Sequence, residues 1–305
     1  MGTAKRNTCG PSCGTRQEDA GWMNVLIASL SDLHVDYAEN RELLVAICME
    51  LHARRPDLVI CAGDISHDDG RIHRTLTALR AVAPTVVYVP GNHELWRKEG
   101  NALERYRVEL LRIAEGAGAH YLPREPYVAE GVGIVGTCGW YDYSFRAEWL
   151  GLPDEVYRAK QFEGFAWSDA SRVRFERDGR LLEDAEIARM MERDLREQLE
   201  DVEARADVRD VLVVTHHLGF EASLHRVGRK PWDFFNAFMG SVSLGETIRR
   251  GRRVRAAIHG HTHVVGEQSV DGLRVFGTAL GYPRERNGMG VEEVIRTRIG
   301  WVELG

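Results

Sequence analysis

The feature that most constrains this chain is a series of short apolar runs, each ending in Asp, Asn or His. The first three are NVLIASLSD (24–32), DLVICAGD (57–64) and TVVYVPGNH (85–93). Each is too short for a core helix and rich in β-branched residues, as a strand buried on both faces would be. Residues 39–53 and 71–83, which separate them, carry helical periodicity. A β-α-β-α-β alternation predicts right-handed crossovers and a mainly parallel sheet.

A further helix is expected at 99–116. Strand candidates follow at 132–138, 211–215, 254–259, 264–270 and 273–278. The later ones lie close together with turn residues between them, which predicts a second sheet containing hairpins rather than continued βαβ units. Two stretches break the rhythm. Residues 140–182 are rich in Trp, Tyr, Phe and Arg without a clean period, and 219–250 mix aromatic with basic residues. Between them, 183–206 read as a charged helix packed by Ile187, Met190, Met191, Leu195 and Leu199.

The expected organisation is therefore one α/β domain over 23–305, with 140–210 and 219–250 inserted as a cap or lid, preceded by a flexible extension over 1–22. Cys9 and Cys13 fall in that extension, and no second Cys/His pair follows at finger-like spacing. The other three of the five cysteines, Cys48, Cys61 and Cys138, sit in apolar surroundings and read as buried packing residues. A net charge of -6 provides no broad attraction for nucleic acid or anionic membrane, although 40 Lys and Arg leave room for a local basic patch. No apolar run is long enough to cross a bilayer, and the first 22 residues lack a secretory h-region, so a cytoplasmic location is expected. The oligomeric state is not legible.

The chemistry lies at the strand ends. Asp32 and His34 follow the first run, Asp64 ends the second, and Asn92 and His93 end the third. His216 and His217 follow VLVVT, and His259, His261 and His263 close the VRAAIH run. Ligand sites of open α/β sheets form at the carboxyl ends of strands, so these side chains are expected on one rim. Carboxylate, imidazole and amide oxygen without thiolate suit Mn, Fe or Zn. Gly63, Gly91 and Gly260 beside them allow tight turns.

Asp32-Leu33-His34, Gly63-Asp64, Gly91-Asn92-His93-Glu94, His216 and Gly260-His261-Thr262-His263 together resemble the motif set of the calcineurin-like metallophosphoesterases, in order, between Val25 and Ala279. The resemblance implies a four-layer α/β/β/α sandwich and two metal ions. Asp32, His34 and His263 would hold one, Asn92, His216 and His261 the other, and Asp64 would bridge them. Two cations about 3.5–4 Å apart bring the pKa of a bridging water to near 7, and the resulting hydroxide attacks phosphorus in line. His93 would protonate the leaving oxygen or stabilise the transition state. His67, in GDISH, would be the second catalytic residue: it stands where the family's phosphoprotein phosphatases carry Asp and its exonucleases carry His, which leans toward diester substrates. Glu94 would orient the site from behind the ligands.

The remaining polar residues have two readings each. His217 is either a support for His216 or a group facing substrate, and the two could exchange roles. His259 reads as structural, and His52, His73, His120 and His225 as core or surface residues. Arg146, Arg158, Arg229 and Lys230 are candidate contacts for a substrate phosphate, and 281–284 read as a turn near the rim. The expected activity is hydrolysis of a phosphomonoester or phosphodiester, on a nucleotide or other small molecule. The alternatives are an exonuclease-like phosphodiesterase, a non-catalytic interaction module of this fold, and a binuclear hydrolase of another ester or amide.

Overall fold

A computed structural model describes residues 24–97 and 99–304. The 1–22 extension, with Cys9 and Cys13, lies outside the described residues. Strands β1 (Val25–Leu30), β2 (Leu58–Ala62), β3 (Val86–Val89) and β4 (His120–Tyr121) pair in parallel, in that order. The helices Ala38–Arg54 and Asp69–Val82 provide the first two crossovers. The third helical stretch, 102–116, is interrupted by a π-helical segment, Arg105–Glu109.

Strands β5 (Tyr127–Ala129) and β6 (Val132–Thr137) start a second sheet. The chain then leaves it through two short hairpins, β7 (Gln161–Phe162) with β8 (Phe165–Ala166), and β9 (Glu176–Arg177) with β10 (Arg180–Leu181). It returns through helix Asp184–Ala204 to β11 (Asp210–Thr215), and through helix Val242–Arg250 to β12 (Val254–His259). Strands β13 (Gly266–Val270) and β14 (Leu273–Gly277) form the expected hairpin, and β15 (Gly300–Leu304) returns antiparallel to β1 on the first sheet.

The centre of the second sheet departs from the sequence expectation. β6, β11, β12 and β14 are mutually parallel, and only the edge strands β5 and β13 run antiparallel. The helices that make the β6–β11 and β11–β12 crossovers sit in the irregular stretches, so their βαβ rhythm is spread over long sequence distances, and β14 is reached through the β13 edge strand.

Period-2 alternation explains the layering. Ile27, Ile60, Val87 and Val89 face Ile134, Leu212, Val214 and Ile258 in one core between the sheets. The alternate residues Ala28, Val59, Cys61 and Tyr88 pack outward with Ile47, Leu51, Ile72 and Leu76 of the first helices. Val135, Val211 and Val213 pack against Leu195, Leu199 and Val202 of Asp184–Ala204, with Leu244 and Ile248. The result is the four-layer α/β/β/α sandwich with two mixed sheets. Cys61 and Cys138 are buried as expected, whereas Cys48 is only half-buried, packed against the outer core.

Candidate metal centre

Five of the rim residues singled out above adopt left-handed backbone: Asp32 (φ 51°), His34 (φ 40°), Asp64 (φ 55°), His261 (φ 71°) and His263 (φ 57°). Such conformations cost about 1–3 kcal/mol each and persist only where the surroundings impose them. Backbone hydrogen bonds between neighbouring loops impose them here: Asp32 N–H to Gly63 O at 2.9 Å and His34 N–H to Asp64 O at 2.9 Å. Gly63 (φ 91°) leaves no room for a side chain, since a Cβ there would lie 2.6 Å from both Gly91 N and His216 Nδ1.

These turns aim the side chains into two adjoining clusters with Asp64 between them. On one side, His263 Nε2 lies 3.2 Å from both Asp32 Oδ1 and His34 Nε2. On the other, His216 Nε2 lies 3.2 Å from His261 Nδ1, 3.3 Å from Asn92 Oδ1 and 3.4 Å from Asp64 Oδ1. Asp64 Oδ2 is 3.9 Å from His34 Nε2 and 3.7 Å from His93 Nε2. Asp32–His34–His263 and Asp64–His216–His261 are each compact enough to share an ion, and so is His34–Asp64–His93.

The outer ring nitrogens test whether these groups suit cations. His216 Nδ1–H faces Ala62 O at 2.8 Å, His261 Nε2–H faces Phe238 O at 3.1 Å, and His263 Nδ1–H faces Glu285 Oε2 at 2.7 Å. With the outer nitrogens used as donors, the inner lone pairs point at one another, an arrangement that repels unless a cation or proton lies between them. The charges agree. Burial alone would raise the Asp32 carboxyl, but His263 draws it down to about 2, and Asp64 is likewise held low by His216 and His93. Burial lowers His34 and His261 to about 3. His216 and His263 move the other way despite burial, to about 9 and about 10, because Asp64 and Asp32 demand positive charge beside them. Two buried carboxylates thus call for a cation in each cluster, and the residues fit a pair of metal ions.

Three carboxylates brace the ligands from behind. Glu94 accepts the backbone N–H groups of Gly91 (2.6 Å), Asp64 (2.9 Å) and Ile65 (2.5 Å), tying the β2 loop to the β3 loop. Burial and the charge on Asp64 raise Glu94 to about 7. Glu285 orients His263. Asp169 receives Asn92 Nδ2 at 2.9 Å. Sequence reasoning had singled out only Glu94. Asp169 and Glu285 carry no motif and reach the site only through folding.

Beside the ligands opens a cavity of about 330 Å³ whose floor includes Asp64, Asn92, His93, His261 and His263. Its walls include Trp96, Trp167, Trp232, Phe235, Met239 and Tyr282. His93 stacks on Trp96 (centroids 3.6 Å apart) and lies 3.4 Å from the Tyr282 hydroxyl. Burial lowers its pKa, against the pull of the Asp64 and Asp169 carboxylates, which favour the protonated ring.

Several sequence candidates are not brought to this cavity. His67 is exposed, with Nδ1 3.4 Å from Asp36. Arg146 pairs with Asp154 (2.6 Å), Arg158 with Asp154 and Glu155, and Lys230 with Glu163 (2.7 Å). Arg229 is exposed at the start of helix Lys230–Phe235. Arg146, Arg158 and Lys230 are thus neutralised by acids of the first insertion, and the cation that does line the cavity among the described residues is Arg284, beyond the insertions, its guanidinium over the Tyr282 ring. Of the adjacent histidines, His216 turns into the centre. His217 is fully buried behind it, with Nδ1 3.3 Å from Cys138 O and its ring 4.2 Å from that of His261. His259 is buried and bonds Gly260 O, a structural position. His225, although exposed, borders the cavity.

Fold and site together define a metal-dependent hydrolase built on a two-sheet sandwich rim. Residues 25–265 match the calcineurin-like phosphoesterase family, and the chain belongs to it. It is accordingly a metal-dependent phosphoric ester hydrolase of the family that uses a dinuclear centre. The chain is 28% identical over 288 residues to the [acyl-carrier-protein] phosphodiesterase PptH of Mycobacterium tuberculosis, covering 89% of this chain and 82% of that protein. The crystal structure of the phosphopantetheinyl hydrolase PptH from the same organism superimposes with a TM-score of 0.71 at 22% identity, over 90% of this chain and 95% of that one. No described helix is long and apolar enough to cross a membrane.

Proposed function

We propose that this protein is a phosphodiesterase that releases a phosphopantetheinyl-type arm from a carrier protein. The observation that carries the reading is the narrow aromatic cavity opening directly onto the candidate ligands. It suits a slim arm that lies against the aromatic walls, with the phosphodiester joining it to the carrier serine held over the candidate ligands. The similarity to an acyl-carrier-protein phosphodiesterase, spread over 89% of this chain, supports the same substrate class.

In this reading Asp32, His34 and His263 hold one metal, Asn92, His216 and His261 the other, and Asp64 bridges, with Mn, Fe or Zn as the native ions. When bound, such a pair supplies a water that is nucleophilic near neutral pH and neutralises phosphoryl charge. The chain's own residues do the rest. Asp64 and Asp32 provide the negative charge that fixes both cations. His93 faces the cavity beside Asp64 and delivers a proton to the leaving serine oxygen, with the Tyr282 hydroxyl 3.4 Å from its Nε2. The indole rings of Trp96 and Trp167 exclude bulk water and align the arm. Residues 140–210 and 219–250 act as the cap, because Trp167, Trp232, Phe235 and Met239 all come from them.

The test is incubation of a holo carrier protein with enzyme supplied with Mn²⁺, Fe²⁺, Zn²⁺ or Mg²⁺, followed by intact-protein mass spectrometry. Metal-dependent conversion to the apo mass is expected. Hydrolysis of bis-p-nitrophenyl phosphate with no arm release would overturn the carrier substrate while keeping the phosphodiesterase. Turnover of p-nitrophenyl phosphate alone would make it a monoesterase.

A further inference from the structure

Asp169 belongs to no motif and sits in the first insertion, yet it is 1% exposed and three of its four side-chain partners, Asn92, Trp96 and Trp167, line the cavity. Its Oδ1 accepts Asn92 Nδ2 at 2.9 Å and Trp96 Nε1 at 2.7 Å. Its Oδ2 accepts Trp167 Nε1 at 2.8 Å and the Tyr141 hydroxyl at 3.1 Å. A buried carboxylate is tolerated only when its oxygens are satisfied, and here four neutral donors do so in place of a cation.

The two oxygens do different things. An Asn side chain can present either oxygen or nitrogen to a neighbour. With Nδ2 committed to Asp169, Asn92 must turn Oδ1 toward His216, from which it lies 3.3 Å. Asp169 Oδ1 also accepts from the Trp96 indole stacked on His93. The other oxygen holds Trp167, which forms a cavity wall and packs edge-on against His261 with centroids 5.7 Å apart.

We propose that Asp169 is a positioning residue, carried by the insertion, that orients the Asn92 amide oxygen toward its metal and anchors Trp96 and Trp167 as substrate walls. One carboxylate thereby couples metal affinity to the shape of the substrate cavity. This rests on the assignment of Asn92 as a metal ligand.

The test compares metal binding of full-length wild-type protein, Asp169→Ala and Asp169→Asn by calorimetric Mn²⁺ titration, together with KM for bis-p-nitrophenyl phosphate. Asp169→Ala is expected to weaken one of two Mn²⁺ equivalents by about 10–100-fold and leave the other unchanged, the range for groups that orient ligands. Asp169→Asn retains one oxygen for Asn92 but cannot also accept from Trp167. It is expected to hold both ions within about threefold of wild type, with KM raised several-fold. Unchanged binding of both ions by Asp169→Ala overturns the proposal, and so does equal weakening of both, which a merely structural role predicts. If the alanine variant does not fold, Asp169→Asn decides alone: both ions held with KM raised several-fold support the proposal, and an unchanged KM or equal weakening of both ions overturns it. A wild-type protein that bound no Mn²⁺ would fail the metal assignment itself, a distinguishable result.

Discussion

The rim and the insertions contribute equally intimate parts of the site but are built in opposite ways. On the rim, each candidate ligand lies within five residues of a strand end, and strained left-handed turns aim Asp32, His34, Asp64, His261 and His263. Position in the chain almost determines position in space. The insertions have no long strand. Their useful groups, Asp169, Trp167, Trp232 and Phe235, are delivered by two-residue hairpins, short helices and ring-on-ring packing such as Trp167 on Phe238 (15° between planes). The rim is polar, buried and specified by local turns, whereas the insertions are aromatic, partly exposed and specified by contacts. The rim can therefore be expected to decide whether chemistry occurs, and the insertions which molecule undergoes it.

The sharpest way to break this comparison is at its polar extreme. Asp64→Ala should abolish metal-dependent turnover and reduce bound metal, as measured by elemental analysis beside the rate; wild-type turnover would dissolve the rim assignment. Next in size, His93→Ala should lower kcat by about 10²–10⁴-fold, the usual contribution of an acid–base group, while two metal equivalents remain. Because His93 also sits within reach of Asp64 and His34, loss of metal in that variant would move it into the ligand set.

The insertions should behave differently. Trp232→Ala removes a half-exposed wall (51% exposed) and should raise KM about tenfold, roughly 1.4 kcal/mol, at nearly constant kcat. A fall in kcat with unchanged KM would place Trp232 in the chemistry instead. The smallest effect is expected from Arg146→Ala and Arg158→Ala. Both cations are tied to carboxylates on their own segment at the surface, so steady-state parameters should stay within about twofold. A large KM change would show that these arginines leave their partners to meet the substrate.

Legibility followed the same division. The alternation of apolar runs and helical stretches gave away the first sheet, and the residues ending those runs gave away the candidate ligands, because a strand end fixes both place and direction. The parallel centre of the second sheet was harder to read, since its crossover helices Asp184–Ala204 and Val242–Arg250 lie among segments without period. Arg146, Arg158, Arg229 and Lys230 looked like phosphate contacts because charge is visible in a sequence, while the acids that neutralise most of them become visible only after folding. Tyr282 read as part of a turn, but its stacking on His34, with centroids 4.4 Å apart, is a contact across 248 positions.

What the sequence determined by itself is the first sheet and the polar rim, because those depend on short-range periodicity and on side chains fixed to strand termini, while the four-layer sandwich and the dinuclear chemistry came with the family resemblance. What only the tertiary structure decided is the choice of His216 over its neighbour, the bracing by Asp169 and Glu285, and the aromatic cavity. Each depends on groups far apart in the chain whose meeting is set by packing, and no local pattern encodes it.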